Sequence, residues 1–274
     1  MSHEDAVVRV IARTEAPCTR ASLAAAMRTL GVEEGMTLLV HSSLSALGWV
    51  CGGPVALVQA LMDTLTPAGT LVMPAHSTDL SDPAEWRHPA VPADWVPVIR
   101  ATMPTYEPHI TPTYLMGRTV ETFRTWPGVA RSAHPHHSFA AWGRHAALVI
   151  DGHTLDDSLG ETSPLARLYD LDASVLLLGV GYDNNTSFHL AEYRVPGAER
   201  TQQGAPILEG GQRVWATFRN IALDVDPFPA IGAAFEAKGL VRHGRVGGGE
   251  ARLFRQRPAV DFAAAWLRAG RCIP

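Results

Sequence analysis

The stretch Ala173-Ser174-Val175-Leu176-Leu177-Leu178-Gly179-Val180 constrains the fold of this chain most. A short, unbroken apolar run bounded by glycine suits a strand buried in the middle of a sheet. Two more runs read the same way, Thr37 to Val40 and Thr70 to Pro74. Between them Pro54 to Leu65 reads as a helix with Pro54 in its first turn, and Pro67-Ala68-Gly69 as the turn that follows. Strand, helix and strand in direct succession form a βαβ unit, which requires a parallel or mixed sheet. The expected fold class is therefore α/β, with a mixed, largely parallel central sheet flanked by helices.

Elsewhere Glu4 to Thr14 and Ser22 to Leu30 read as amphipathic helices, the second capped by Thr19 or Ser22 and stopped at Gly31. Val120 to Thr125 and Ser163 to Tyr169 read as short helices, and Ala146 to Asp151 as a short strand or helix. Phe228 to Lys238 and Pro258 to Ala269 look helical near the end. Residues Ser77 to Thr113 are rich in Pro, Asp, His and Trp, lack periodicity, and read as a long loop. A loop of that length in a compact domain is usually functional. No repeat and no linker divides the chain, so residues 1–274 read as one domain.

Composition acts by exclusion. With 46% hydrophobic and 18% charged residues, the chain can form a sizeable core and is neither disordered nor fibrous. Lys plus Arg is 23 against 27 for Asp plus Glu, a formal charge of −4, which argues against a nucleic-acid partner and fits, weakly, a small cationic substrate. Cys18, Cys51 and Cys272 lie far apart without a metal or disulfide spacing. The N-terminus has early acids and no apolar core of a signal peptide. No apolar run reaches the roughly 18 residues of a membrane-spanning helix. The chain reads as soluble and cytoplasmic, with no membrane partner.

Four segments carry candidate chemistry. His41-Ser42-Ser43 follows the first strand, and strand ends are where open α/β sheets bind ligands. Its hydroxyls and backbone N–H groups, with the Gly52-Gly53 turn, suit an anion, although Ser42 and Ser43 equally fit a strand end and a turn cap. The second segment runs from Gly179 to Glu192 at the end of the most strongly marked strand. Asn185, Thr186 or Ser187 would cap a following helix, on which His189 and Glu192, three residues apart, share a face. A histidine there is a candidate general base because its pKa lies near operating pH. The third is Arg131 to Phe139, with His134, His136 and His137; it lacks a helical pair of ligands and reads as hydrogen-bond donors or packing rather than a metal site. The fourth is an acidic set, Asp79, Asp82, Asp156, Asp157, Glu161, Asp183 and Glu192, placed mostly in loops. A polyamine needs several carboxylates converging on its ammonium groups, but any one of these also fits a solvated surface.

Taken together, these segments resemble the aminoglycoside 3-N-acetyltransferase family, whose antibiotic N-acetyltransferase fold is distinct from the GNAT fold. The matching stretches are LLVHSSLSALG (Leu38 to Gly48), GTLVMPAHS (Gly69 to Ser77), RTWPGVARSAHPHHSFAAWG (Arg124 to Gly143), the run from Glu161 to Arg194 that contains HLAE, and VGGGEARLF (Val246 to Phe254). The resemblance implies transfer of an acetyl group from acetyl-CoA directly to the 3-amino group of a 2-deoxystreptamine aminoglycoside, and hence antibiotic resistance. It implies no metal, and a monomer or homodimer. It makes His189 the catalytic base, oriented by an acid for which Asp224 is favoured over Asp226. It places coenzyme A on His41, Ser42, Ser43, Ser132 and His134. The drug pocket would be built by the loops Ser77 to Thr113 and Thr154 to Glu161, with Asp79, Asp156, Asp157, Glu161, Asp183 and Glu192 around the ammonium groups. Three other readings stand beside this one: an acetyltransferase for a different small amine, a non-catalytic CoA- or amine-binding module, and a metal-dependent hydrolase using the histidine-rich loop.

Overall fold

The computed structural model describes residues 3–271, so Cys272 lies outside the described residues. Helices α1 (His3–Ala12) and α2 (Arg20–Leu30) lead into strand β1 (Thr37–Ser42). Thr19 is the N-cap of α2: its hydroxyl accepts from the Ser22 N–H at 3.1 Å, and the Thr19 N–H donates to the Ser22 hydroxyl at 2.9 Å. This reciprocal box satisfies two of the helix's free donors, and Gly31 closes the other end in the left-handed conformation. Helix α3 (Gly53–Leu65) and strand β2 (Thr70–Pro74) complete the expected βαβ unit.

Beyond β2 come α4 (Val96–Thr102), α5 (Gly117–Arg124), β3 (Ala130–Arg131), β4 (Phe139–Gly143), α6 (Ala146–Ile150) and α7 (Pro164–Asp170). Then follow β5 (Ser174–Leu178), α8 (Ser187–Tyr193), the hairpin β6 (Arg200–Glu209) and β7 (Gln212–Ile221), α9 (Phe228–Glu236), β8 (Arg242–Val246), β9 (Gly249–Arg255) and α10 (Gln256–Arg271). The main sheet has seven strands in the order β3-β4-β2-β1-β5-β9-β8. Its centre, β2-β1-β5, is parallel, and both flanks are antiparallel. The sheet is mixed, as expected, but not largely parallel: four of its six pairings are antiparallel, and the parallel part is confined to the three apolar runs. Hairpin β6–β7 forms a separate two-stranded sheet.

Both faces of the sheet are covered. Leu38, Val40, Leu71, Met73, Leu176 and Leu178 pack on one side with Leu23, Met27, Leu57 and Leu61 from α2 and α3. The alternate residues Leu39, Val72, Val175 and Leu177 pack on the other with Leu165, Phe188, Phe228 and Val260 from α7 to α10. This is the period-2 division of a strand between two core layers.

The segment Ser77 to Thr113 is mostly irregular, as expected, apart from short 3₁₀ turns and α4. It is nonetheless pinned. Arg131, 6% exposed, donates to the carbonyls of Ala75 and Thr111, each at 2.5 Å. The Tyr106 hydroxyl donates to the Ser132 carbonyl at 2.7 Å, and the Tyr106 N–H to the Pro206 carbonyl of β6 at 3.0 Å.

Leu176 is fully buried in β5 between Val40 and Leu253. Leu176→Ala is therefore expected to lower the unfolding free energy by about 2–5 kcal/mol. A urea titration checks this; an unmoved midpoint would contradict the placement of β5 at the centre of the core.

Candidate active site

The three parallel strands stop side by side, and each delivers a histidine to one cleft. His41 is the penultimate residue of β1, and His76 lies two residues beyond the end of β2. His189 sits on α8, reached from β5 through Gly179 and the Tyr182–Asn184 turn. Gly179 has φ of +64°, and a Cβ there would lie 2.5 Å from that of Ala46, so the turn needs glycine. Asn185 is fully buried and its Oδ1 accepts from the Ser187 N–H at 3.3 Å, which starts α8. Phe188 then anchors the helix against Tyr182 and Phe228, with ring centroids 5.9 and 5.3 Å away.

His189 is 8% exposed and its ring lies 4.9 Å from that of Phe228. Its Nδ1 is 2.5 Å from Glu192 Oε2. The other carboxylate oxygen, Oε1, accepts from the Asp224 N–H at 3.0 Å. The acid on His189 is thus Glu192, one helical turn along, rather than Asp224. Asp224 contributes its backbone, while its carboxylate accepts from the Asp226 N–H at 2.9 Å. With Nδ1 held by a carboxylate, Nε2 is the free nitrogen of a ring that lines the cleft.

The cleft has a volume of about 830 Å³. His41, Ser42, Ser43, His76, Thr119, Asp183 and His189 give it polar walls, and Val7, Trp49, Leu115 and Val120 an apolar mouth. Four buried polar atoms that belong to its lining have no partner: His41 Nε2, Ser42 Oγ, His76 Nε2 and Thr119 Oγ1. Burial, reinforced by the neighbouring imidazole of His189, holds the pKa of His41 and of His76 down at about 3, so both rings are neutral.

The profile of the aminoglycoside 3-N-acetyltransferase family matches residues 39–268. The chain is 47% identical over 260 residues to the SPbeta prophage-derived aminoglycoside N(3')-acetyltransferase-like protein YokD of Bacillus subtilis (strain 168), covering 94% of this chain and 96% of that protein. It belongs to the aminoglycoside 3-N-acetyltransferase family. The fold superposes on the crystal structure of YokD with a TM-score of 0.96, covering 97% of this chain and 99% of that one at 45% identity. It superposes on the enzyme AAC-IIIb, solved with CoASH, with a TM-score of 0.84 at 31% identity, covering 94% and 99% of the two chains. The members of this family are acyltransferases, and the α/β fold expected for them is the one observed.

Seen within that family, the expected site residues divide. His41, Ser42 and Ser43 line the cleft with His189. Ser132 and His134 do not. They are 1% and 0% exposed and belong to a hydrogen-bonded wall outside it. Ser132 Oγ accepts from the Phe139 N–H at 2.9 Å. His134 Nδ1 accepts from the N–H groups of His136 and His137, both at 3.0 Å, leaving its Nε2–H to donate to the Leu155 carbonyl at 3.1 Å. His153, which sequence reasoning passed over, donates from Nε2 to the Ser158 carbonyl at 2.7 Å and meets Ser132 Oγ through Nδ1 at 2.9 Å. The histidine-rich loop is packing: the rings of His134 and His137 stack at 5.7 Å. Among the described residues no group of three His, Cys, Asp or Glu is arranged to hold a metal ion.

The expected drug-pocket carboxylates are mostly occupied elsewhere. Asp156 accepts from the Arg219 N–H at 2.7 Å, Asp157 pairs with Arg200, and Glu161 pairs with Arg194 at 2.7 Å. These bonds fasten the loop Thr154 to Glu161 to hairpin β6–β7 and α8. Asp79 lies exposed on the long loop, and Asp82 pairs with Arg100 at 2.7 Å. Neither loop contributes a lining residue to the cleft; Asp183 does, exposed at its wall, and Glu192 stands behind His189. His76, Arg118 and Thr119 line the cleft without having been singled out. The strand-end argument that found His41 would have found His76, since it closes the GTLVMPAHS stretch; Arg118 and Thr119 have no local signal.

Six buried or half-buried histidines, His41, His76, His134, His136, His137 and His153, share a pKa pushed below the usual value, chiefly by burial. In the unfolded chain each titrates near its ordinary value of about 6.5. Below that pH the unfolded state binds protons that the native state refuses. The stability conferred by neutral burial is therefore complete above about pH 6.5 and lost progressively as pH falls, by up to about 1.4 kcal/mol per pH unit for each ring. The urea midpoint should drop steeply between pH 7.5 and pH 5.0; equal midpoints would contradict neutral burial of these rings.

Proposed function

We propose that this chain transfers the acetyl group of acetyl-CoA directly to an amine bound in the cleft, with His189 as general base. The observation that carries the proposal is the His189–Glu192 hydrogen bond at the wall of that cleft. Glu192 accepts a hydrogen bond from Nδ1–H, which keeps the proton on Nδ1 and the lone pair on Nε2. Nε2 removes a proton from the incoming amine as its nitrogen attacks the thioester carbonyl carbon. The carbon–sulphur bond then breaks, and the proton passes from the imidazolium to the departing thiolate, giving CoASH. General-base help of this kind is worth about 10²–10⁴-fold in rate, and positioning supplies much of the rest. Coenzyme A is proposed to bind along His41, Ser42 and Ser43, which stand where β1 ends beside His189. The acceptor proposed from the family is the 3-amino group of a 2-deoxystreptamine aminoglycoside, whose acetylation would confer resistance.

A second reading is favoured by one observation. Asp156, Asp157 and Glu161 already have arginine partners, and Asp183 is the cleft carboxylate left to meet a cation. A polycation binds best where several carboxylates converge, so an acceptor with fewer charges, a different small amine, fits this arrangement.

Release of free thiol from acetyl-CoA across a panel of aminoglycosides with and without a free 3-amino group, and of simple primary amines, decides between the two. Turnover confined to drugs bearing that amine supports the first reading; turnover confined to small monoamines supports the second. With whichever acceptor is active, His189→Ala should abolish turnover while acetyl-CoA still binds, and near-normal turnover would sink the base assignment. Glu192→Gln, which removes the carboxylate that sets the tautomer, should lower kcat by about 10²–10⁴-fold with little change in the affinity for acetyl-CoA.

A further inference from the structure

Leu115, Met116, Gly117 and Arg118 form one continuous strip of the cleft wall where the chain enters α5. The strip is held on both sides. Before it, the Tyr114 N–H donates to the His76 carbonyl at 2.8 Å, and Thr113 donates from its N–H and its hydroxyl to Glu121 Oε2 at 2.9 and 2.8 Å. After it, Thr119 and Val120 are buried, and Met116 packs on the same core layer as Leu44, in the turn that follows β1. Between these anchors Leu115 has φ of +58° and is 83% exposed. The left-handed region is strained for a leucine, whose Cβ crowds the following carbonyl there. Two residues on, where φ is +80°, the chain uses Gly117. A leucine at position 115 therefore serves neither the backbone nor the core. Strain of this kind, imposed by the surroundings and rewarded by no packing, belongs to ligand clamps and active sites.

Arg118 is exposed on the same strip and has no ion-pair partner among the described residues. Apart from the histidines, Arg118 and Asp183 are the charged side chains of the described lining. The cleft thus has a positive side on α5 and a negative side on the turn that leads to His189. Resting on the acetyl-transfer reading, we propose that Leu115 and Arg118 grip acetyl-CoA at the junction of its pantetheine arm and its diphosphate. In coenzyme A the dimethyl-bearing carbon of that arm is joined through a single methylene to an oxygen of the diphosphate, so an apolar group and negative charge lie side by side. A leucine and an arginine three residues apart on one strip match that pair. Leu115 covers the dimethyl group, and the Arg118 guanidinium donates to the diphosphate oxygens. The diphosphate then takes the positive side of the cleft, the arm runs toward His189, and Asp183 is left for the ammonium group of the acceptor. Neither residue touches the reacting carbonyl, so both act on affinity.

Binding measurements without any acceptor test the grip, using CoASH and dephospho-CoA in calorimetry and pantetheine in ligand-detected NMR. Arg118→Ala should weaken CoASH and dephospho-CoA alike, by about 10–100-fold, and leave pantetheine, which has no diphosphate, unchanged. Leu115→Asn, which suits the left-handed backbone, should weaken all three by about 10-fold and at the same time raise the urea midpoint of the free protein. A residue that only shapes the wall cannot give that opposition, since loss of a structural contact lowers both. Affinities that neither substitution moves overturn the proposal, as does a Leu115→Asn protein with a lowered midpoint. A loss confined to CoASH places the cation on the 3′-phosphate and overturns the diphosphate assignment. The two readings fail separately. Tight CoASH binding that both variants keep overturns the grip alone, whereas wild-type protein that binds no CoASH overturns the transfer reading with it. Protein that turns over no amine, yet shows the expected losses, keeps the grip.

Discussion

Parallel pairing of β2, β1 and β5 buries both faces of all three strands, so polar side chains are expelled to the line where the strands stop. His41 and Ser42 end β1, His76 follows β2, and the chain leaving β5 turns through Gly179 into the helix that carries His189. The cleft is the gap above that line, roofed by α5 and the segment before it and flanked by α1.

The electrostatics of the site follow from the same burial. Removed from water, an imidazole loses more as a cation than as a neutral ring, and His41 and His76 accordingly stay uncharged. His189 is held by a carboxylate: Glu192 stands on its Nδ1, and Glu192 in turn is held by the Asp224 N–H. A carboxylate only 3% exposed would be costly alone; two directed hydrogen bonds offset that cost and fix the ring's orientation. The loop carboxylates tell the opposite story. They pair with arginines near the surface and fasten the loop to the hairpin and to the end of α8.

Much of this was legible beforehand where a signal is local. The βαβ unit, the strand at Ser174–Leu178, the Thr19 cap of α2 and the face shared by His189 and Glu192 all follow from residues a few positions apart. Strands β6 and β7 were not legible, because their exposed residues carry no regular apolar alternation, and β8 is mostly exposed. Strand β4 is short and rich in alanine, which resembles neither periodicity. The resemblance pointed to Asp224 as the partner of His189, and to Ser132 and His134 as cofactor contacts. The first was displaced by a nearer acid on the same helix. The others were displaced by a packing wall that forms only when the loops from Arg131 and from His153 meet.

By itself, then, the sequence determined the βαβ unit, the central strand β5 and hence a buried parallel centre, and that His189 and Glu192 share one helical face. Those properties depend on periodicity and spacing, which neighbouring residues carry. Only the tertiary structure decided which histidines stand together, which carboxylates are already paired with arginine, and which buried nitrogens are left without a partner. Those are matters of partners dozens of residues away, brought into hydrogen-bond range by the folding of the sheet, and no local pattern encodes them.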